Sequence, residues 1–175
     1  MNKAIFLDRD GVINQANLVN GKPISPNDIS ELILLPKVKK ALQLLKDAGY
    51  VLIVITNQPD VARGKTKVEA VEAINQILKD SLPIDDIFTC YHDDIEDCSC
   101  RKPKPGNILK AADQYNINIS NSFMIGDRWR DIEAGQCVGC KTFFIDYSYR
   151  EKQPESYDYK VKSLYEAVKI ILEMN

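Results

Sequence analysis

The sequence lacks a dominant charge, an apolar run of membrane length, a nucleotide-cradling glycine loop and any internal repeat. Twenty-three Lys and Arg against 25 Asp and Glu leave a net charge of −2 over 175 residues. Such a balance offers no general attraction to nucleic acid or to an anionic membrane, so any phosphate binding has to be local. No stretch approaches the roughly 20 apolar residues that span a bilayer, and the apolar start after Met1-Asn2-Lys3 is cut short by Asp8, too early for a signal-peptide core. The P-loop pattern G-x4-G-K-[ST] is absent. None of the five cysteines is followed six positions on by arginine, which excludes a C-x5-R nucleophile. Nor is there a low-complexity tract. A hydrophobic fraction of 45% with 27% charged residues describes one ordinary globular domain over residues 1–175.

Histidine is the scarcest titratable residue, and the single one sits among thiols. Cys90-Tyr91-His92 and Cys98-Ser99-Cys100 form C-x-H-x5-C-x-C within eleven residues. Thiolate and imidazole are the ligands that tetrahedral Zn²⁺ favours, and four protein ligands leave no open position for chemistry. The expectation is therefore a structural zinc site, with chemistry beside the adjoining Arg101 and Lys102. Reduced metal-ligand cysteines fit a cytoplasmic protein better than a secreted one. Cys137-Val138-Gly139-Cys140 is a second thiol pair, expected to supply small core residues rather than redox chemistry.

Short runs rich in Val, Ile and Phe read as buried strands at Ala4 to Leu7, Val51 to Ile55, Ile87 to Cys90, Ser122 to Ile125 and Thr142 to Ile145. Helical faces alternate with them. Val38, Leu42 and Leu45 make one that stops at Gly49, and Val68, Val71, Ile74 and Leu78 another ending before Pro83. Ile108, Ala111, Ala112 and Tyr115 form a weaker face, and Leu164, Val168, Ile171 and Leu172 a terminal one. Strand alternating with helix predicts an α/β fold: a three-layer, Rossmann-like parallel sheet covered on both faces. The stretch from Asn14 to Pro36 is long for a strand-to-helix connection and is expected to carry function or specificity.

Ligands of open α/β sheets bind beyond the carboxyl ends of the strands. The residues there are Asp8-Arg9-Asp10-Gly11, Thr56-Asn57-Gln58, Arg101-Lys102-Pro103 and Gly126-Asp127 followed by Asp131. Singly each is weak: a D-x-D-G can be a turn, and a strand-end Gly-Asp is a common corner. Together they supply the parts of phosphoryl transfer through an aspartyl-phosphate. A carboxylate attacks phosphorus, hard oxygen ligands suit Mg²⁺, and lysine and hydroxyl donors hold the transferring oxygens.

These four segments resemble the motifs of the haloacid dehalogenase superfamily, over about Ala4 to Asp146. The thiol segment, Asn57-Gln58 and Val61-Ala62-Arg63-Gly64 are similar to the capless branch that holds heptose bisphosphate and histidinol phosphatases. The resemblance implies Asp8 as nucleophile and Mg²⁺ ligand, and Asp10 as acid and base whose carbonyl touches the metal. It also implies Asp127 as the remaining Mg²⁺ ligand, with Asp131 supporting it. Thr56, Asn57 and Lys102 would hold the phosphoryl group, with Arg101 and Arg63 (and Lys65 nearby) toward a second phosphate. Cys90, His92, Cys98 and Cys100 would hold Zn²⁺. The implied activity is loss of the C7 phosphate from a D-glycero-D-manno-heptose 1,7-bisphosphate, with histidinol phosphate or another small sugar phosphate as alternative substrates. The partner is thus a small sugar phosphate, without nucleic acid or membrane, and the protein is expected to be a monomer. Two departures bear on substrate: Pro59-Asp60 replaces the branch's usual Ser-Gly, and Asn17 to Pro26 differs from the tyrosine-containing stretch usual there. A receiver domain fits less well, because acidic residues still follow the lysine. A zinc-loop interaction module would leave the strand-end carboxylates unexplained.

Overall fold

A computed structural model describes residues 1–174. Six parallel strands form one sheet in the order β5-β4-β1-β6-β7-β8, with β1 (Ala4–Leu7) at the centre. Its neighbours are β4 (Val51–Asn57) and β6 (Phe123–Gly126); β5 (Asp86–Cys90), β7 (Lys141–Ile145) and β8 (Tyr159–Val161) lie outward. Successive side chains of β1 point to opposite faces. Ile5 and Leu7 pack into one core cluster, Ala4 and Phe6 into the other, all fully buried. A strand buried on both sides has no polar face, which is why these segments read as unbroken apolar runs.

The first cluster is covered by α1 (Val38–Asp47), α2 (Val68–Ser81) and α5 (Leu164–Glu173), through Leu42, Leu45, Ile74, Leu78, Val168 and Ile171. The second is covered by α3 (Gly106–Gln114) and α4 (Trp129–Val138), through Ile108, Ala111 and Ala134. Each large aliphatic buried this way contributes about 1.5–3 kcal/mol relative to exposure. Among the described residues, no helix is long and apolar enough to cross a membrane.

Three strands lie outside the sequence expectations. β8 is a three-residue edge strand, held because Tyr159 stacks on Phe143 with ring centroids 4.7 Å apart, a contact no local pattern reports. The long connection after β1 folds into the antiparallel hairpin β2 (Asn17–Val19) and β3 (Lys22–Ile24). Its turn, Asn20-Gly21, has φ of 54° and 78°, the left-handed pair that an Asn-Gly hairpin supplies. Of the second thiol pair, Cys140 is buried as expected, whereas Cys137 is exposed at the end of α4.

Candidate functional site

The chain reverses its direction of winding between β4 and β6, and the strand-end residues converge there above β1. Asp8, Asp127 and Asp131 are all buried, and their carboxylate oxygens lie within 4.8 Å of one another. Lys102 reaches into this group and spends its three donors on Asp8 Oδ1 (2.9 Å), Asp131 Oδ1 (2.6 Å) and the Ile55 carbonyl (2.6 Å). Asn57 holds the lysine's backbone from both sides: its amide donates to the Lys102 carbonyl at 3.0 Å and accepts from the Lys102 N–H at 3.1 Å. Asp131 caps the start of α4, accepting from Arg128 N–H at 2.9 Å.

Three carboxylates and one ammonium leave a charge of −2 in a buried space. Burial, reinforced by Asp131 and opposed by Lys102, pushes the Asp8 carboxyl up to about 6. Burial and the charges of Asp8 and Asp131 hold Asp127 well above the ordinary carboxylate range. For Lys102 burial works against the charge, but Asp131 and Asp8 outweigh it and raise its pKa. Asp127 Oδ1 is buried without a hydrogen-bond partner, while a Cβ on Gly11 would stand 1.9 Å from Asp127 Oδ2. An unpaired oxygen, hard ligands and two uncompensated charges are what a divalent cation such as Mg²⁺ fits.

Asp10 sits in a different setting, encircled by donors. Arg9 grips both its oxygens (3.1 and 3.3 Å), Asn14 donates to Oδ1 at 2.9 Å, and Ser25 and Gln58 donate to Oδ2 at 2.7 and 2.8 Å. Burial opposes ionisation, but Arg9 and the hydrogen bonds prevail and lower its pKa. Arg9 is itself fully buried and braced by Asn75 at 2.9 Å. Arg9, Ser25 and Gln58 had no assigned role in the sequence, since nothing local distinguishes a charge-gripping arginine from a surface one. Thr56, 1% exposed, accepts from Gln58 Nε2 at 2.9 Å and keeps its own hydroxyl proton free to donate.

A small cavity of about 40 Å³, room for roughly three waters, is lined by Asp8, Asp10, Lys102 and Asp131 among others. Through Pro23, Ile24, Ser25, Asn57, Arg128 and Arg130 it joins an outer chamber of about 620 Å³. That chamber is lined by six cationic side chains (Lys22, Arg63, Lys65, Arg101, Arg128, Arg130) and three acidic ones (Asp60, Asp94, Glu151). Both arginines expected at the mouth are there, yet each is already engaged. Arg63 is held by Asp93 at 2.6 and 2.7 Å and by Asp60 at 3.3 Å. Arg101 is held by Asp94 at 2.8 Å and the His92 carbonyl at 3.3 Å. Arg128 pairs with Glu151, and Arg130 with Asp94. Lys65 stands 4.0 Å from Asp60. Among the described residues, Lys22 of the hairpin is the lining cation that no acidic side chain pairs.

The four residues of the thiol segment also converge. Cys90 Sγ lies 3.6 Å from Cys98 Sγ and 2.9 Å from Cys100 Sγ, the last two are 3.5 Å apart, and His92 Nδ1 is 3.3 Å from Cys100 and 3.6 Å from Cys90. All the cysteines are free. Metal–sulfur bonds of about 2.3 Å at tetrahedral angles set sulfurs roughly 3.7 Å apart, so the set fits a four-coordinate ion with slight expansion. Burial opposes it, but hydrogen bonds from Cys100 and the Arg101 backbone bring the Cys98 thiol down to about 7. The segment is tied to the carboxylate site, since Gln58 N–H donates to the Cys90 carbonyl at 2.7 Å and Asp94 bridges Arg101 and Arg130.

Comparison with known proteins agrees with this geometry. A family model described as haloacid dehalogenase-like hydrolase matches residues 18–139. A D-glycero-beta-D-manno-heptose-1,7-bisphosphate 7-phosphatase of Helicobacter pylori is 38% identical over 165 residues, 89% of this chain and 90% of that one. A D-glycero-alpha-D-manno-heptose-1,7-bisphosphate 7-phosphatase of Photorhabdus laumondii is 36% identical over 156 residues, covering 82% and 81%. The crystal structure of a D,D-heptose 1,7-bisphosphate phosphatase from B. bronchiseptica, complexed with magnesium and phosphate, superposes with a TM-score of 0.83 at 28% identity, over 99% of both chains.

Proposed function

Because this chain belongs to the haloacid dehalogenase-like hydrolases, we propose that it is a Mg²⁺-dependent phosphatase that removes the C7 phosphate of a D-glycero-D-manno-heptose 1,7-bisphosphate. The terminal phosphate enters the small cavity that Asp8 lines. Asp8 attacks phosphorus with a carboxylate oxygen, forming an aspartyl-phosphate as the bond to the sugar oxygen breaks. Thr56 donates to the transferring oxygens, Lys102 joins it by turning a donor away from its carboxylate contacts, and Asn57 keeps the lysine in place. Asp8, Asp127 and the Asp10 carbonyl would hold Mg²⁺, which would supply positive charge to the phosphoryl oxygens.

Asp10 then moves the protons. Its donor cage favours the anion, so the proton that Asp10 relays to the leaving sugar oxygen arrives with the substrate, whose second phosphate ionisation lies near pH 6. In the second half-reaction Asp10 takes a proton from water, the water oxygen bonds to phosphorus, and Asp8 is released as carboxylate; the proton on Asp10 then leaves with inorganic phosphate, restoring the anion. Zn²⁺ held by Cys90, His92, Cys98 and Cys100 would be structural, because four protein ligands would leave no position for substrate.

The observation that carries the choice of substrate is the outer chamber, lined by six cations to three acids in a protein of net charge −2. Asp93 also holds Arg63 from outside the lining, and among the described residues Lys22 has no acidic partner. A second phosphate is attracted there and a cationic amine is not, which disfavours histidinol phosphate. Asp60, the acid an amine would seek, is occupied by Arg63 and Lys65. The test is the ratio of kcat/KM for the heptose bisphosphate and histidinol phosphate, with the site of cleavage read by phosphorus NMR. Preference for the bisphosphate with loss at C7 is expected; preference for histidinol phosphate, or cleavage at C1, overturns the reading.

A further inference from the structure

The two oxygens of Asp127 meet different surroundings. Oδ2 lies against Gly11 and accepts a hydrogen bond from the Tyr149 hydroxyl at 2.8 Å. Oδ1 is buried and unpaired. Tyr149 comes from the loop after β7, and that loop is tied down at several points. Arg150 N–H donates to the Gly21 carbonyl at 2.8 Å, and Glu151 pairs with Arg128. Tyr147 packs on Tyr149 with centroids 5.5 Å apart and donates to the Gly11 carbonyl at 3.0 Å. The phenol is therefore delivered to Oδ2 by a braced scaffold.

A carboxylate with one oxygen engaged in this way offers a cation only the other. Mg²⁺, small and strict in its octahedral geometry, is served by single-oxygen carboxylate ligands. Ca²⁺ takes six to eight oxygens and readily accepts both from one carboxylate. We propose that Tyr149 is a positioning residue that holds Asp127 to single-oxygen ligation and thereby sets the site's preference for Mg²⁺ over Ca²⁺. The inference rests on the Mg²⁺ reading above.

The test is direct calorimetric titration of the zinc-loaded protein and of Tyr149→Phe with Mg²⁺ alone and Ca²⁺ alone, without substrate. In Tyr149→Phe, Oδ2 has lost its donor and is free to turn onto the metal. The ratio of Ca²⁺ to Mg²⁺ dissociation constants is expected to fall about tenfold, the scale on which partners of metal ligands act. Tyr147→Phe, which removes a bond to backbone rather than to Asp127, should leave the ratio unchanged. An unchanged ratio in Tyr149→Phe, or a parallel loss of both affinities, means a merely structural phenol and overturns the inference alone. Absence of Mg²⁺ binding by the unaltered protein overturns the Mg²⁺ reading together with it. Should Tyr149→Phe fail to fold, a crystal structure of the unaltered protein with Mg²⁺ decides: Asp127 bound through both oxygens refutes the proposal, and bound through Oδ1 with Tyr149 on Oδ2 supports it.

Discussion

Asp8 occupies a position that costs the fold stability, because burial raises its carboxyl to about 6 and Asp131 adds repulsion. Lys102 offsets part of this, but it divides its charge between two carboxylates. Replacing Asp8 by Asn removes both the proposed nucleophile and the buried charge while nearly preserving shape. Turnover is therefore expected to fall on the order of 10³-fold or more. The thermal midpoint of the metal-free protein at neutral pH should be unchanged or higher, as expected where function is maintained against stability. Steady-state kinetics and a thermal scan on one preparation check both halves, and substantial remaining hydrolysis counts against the mechanism. Asp10→Asn is expected to be severely impaired as well, because neither the leaving oxygen nor the water then has a proton partner. At this scale the carboxylates that converge above β1 were legible from their motifs. The groups that tune them were not. Gln58, Ser25 and Tyr149 are ordinary polar residues until the fold aims them at Asp10 and Asp127.

The thiol segment after β5 shows what an element contributes beyond its residues. Its four ligands lie within eleven residues, so the candidate site was readable from spacing alone. What spacing did not reveal is the coupling. Asp93 and Asp94 from the same segment hold Arg63, Arg101 and Arg130 around the outer chamber. Elemental analysis of protein purified without chelator should find one zinc per chain. Stripping it, or Cys98→Ser, should lower the unfolding midpoint and reduce kcat/KM by about 10–100-fold, because those arginines lose their mount. A zinc-free preparation with full activity and unchanged stability contradicts this role. The hairpin β2–β3 behaves similarly. The length of its connection marked it as functional, but its placement depends on Ser25 reaching Asp10 and on the loop after β7 meeting Gly21.

For the whole molecule, the buried carboxylates link stability to pH and to metal. Asp8 and Asp127 have folded-state pKa values raised above the unfolded value of about 3.9. Their protonated forms are thus favoured by folding, and the metal-free protein loses stability as pH rises from about 4 through about 6. On the proposed reading, Mg²⁺ binds the folded, deprotonated form and is expected to reverse the loss. At 100 times its dissociation constant it contributes about 2.7 kcal/mol, or about 5–10 °C for a domain of this size. That rise should be present near pH 7.5 and much smaller near pH 5, where protons compete for the same oxygens. Thermal scans with and without Mg²⁺ at the two pH values check it, and an equal rise at both contradicts the linkage. Taken by itself, the sequence determined what local order and periodicity can carry: the alternation of buried strands and amphipathic helices, the four strand-end motifs and the thiol set. Each depends on neighbours a few residues apart. Tertiary structure alone decided the rest: the edge strand held by Tyr159 on Phe143, the pairing of the chamber's arginines, and the unequal surroundings of the two Asp127 oxygens. Those depend on contacts between distant segments, and their energies, burial and Coulomb attraction above all, exist only once the sheet has brought the segments together.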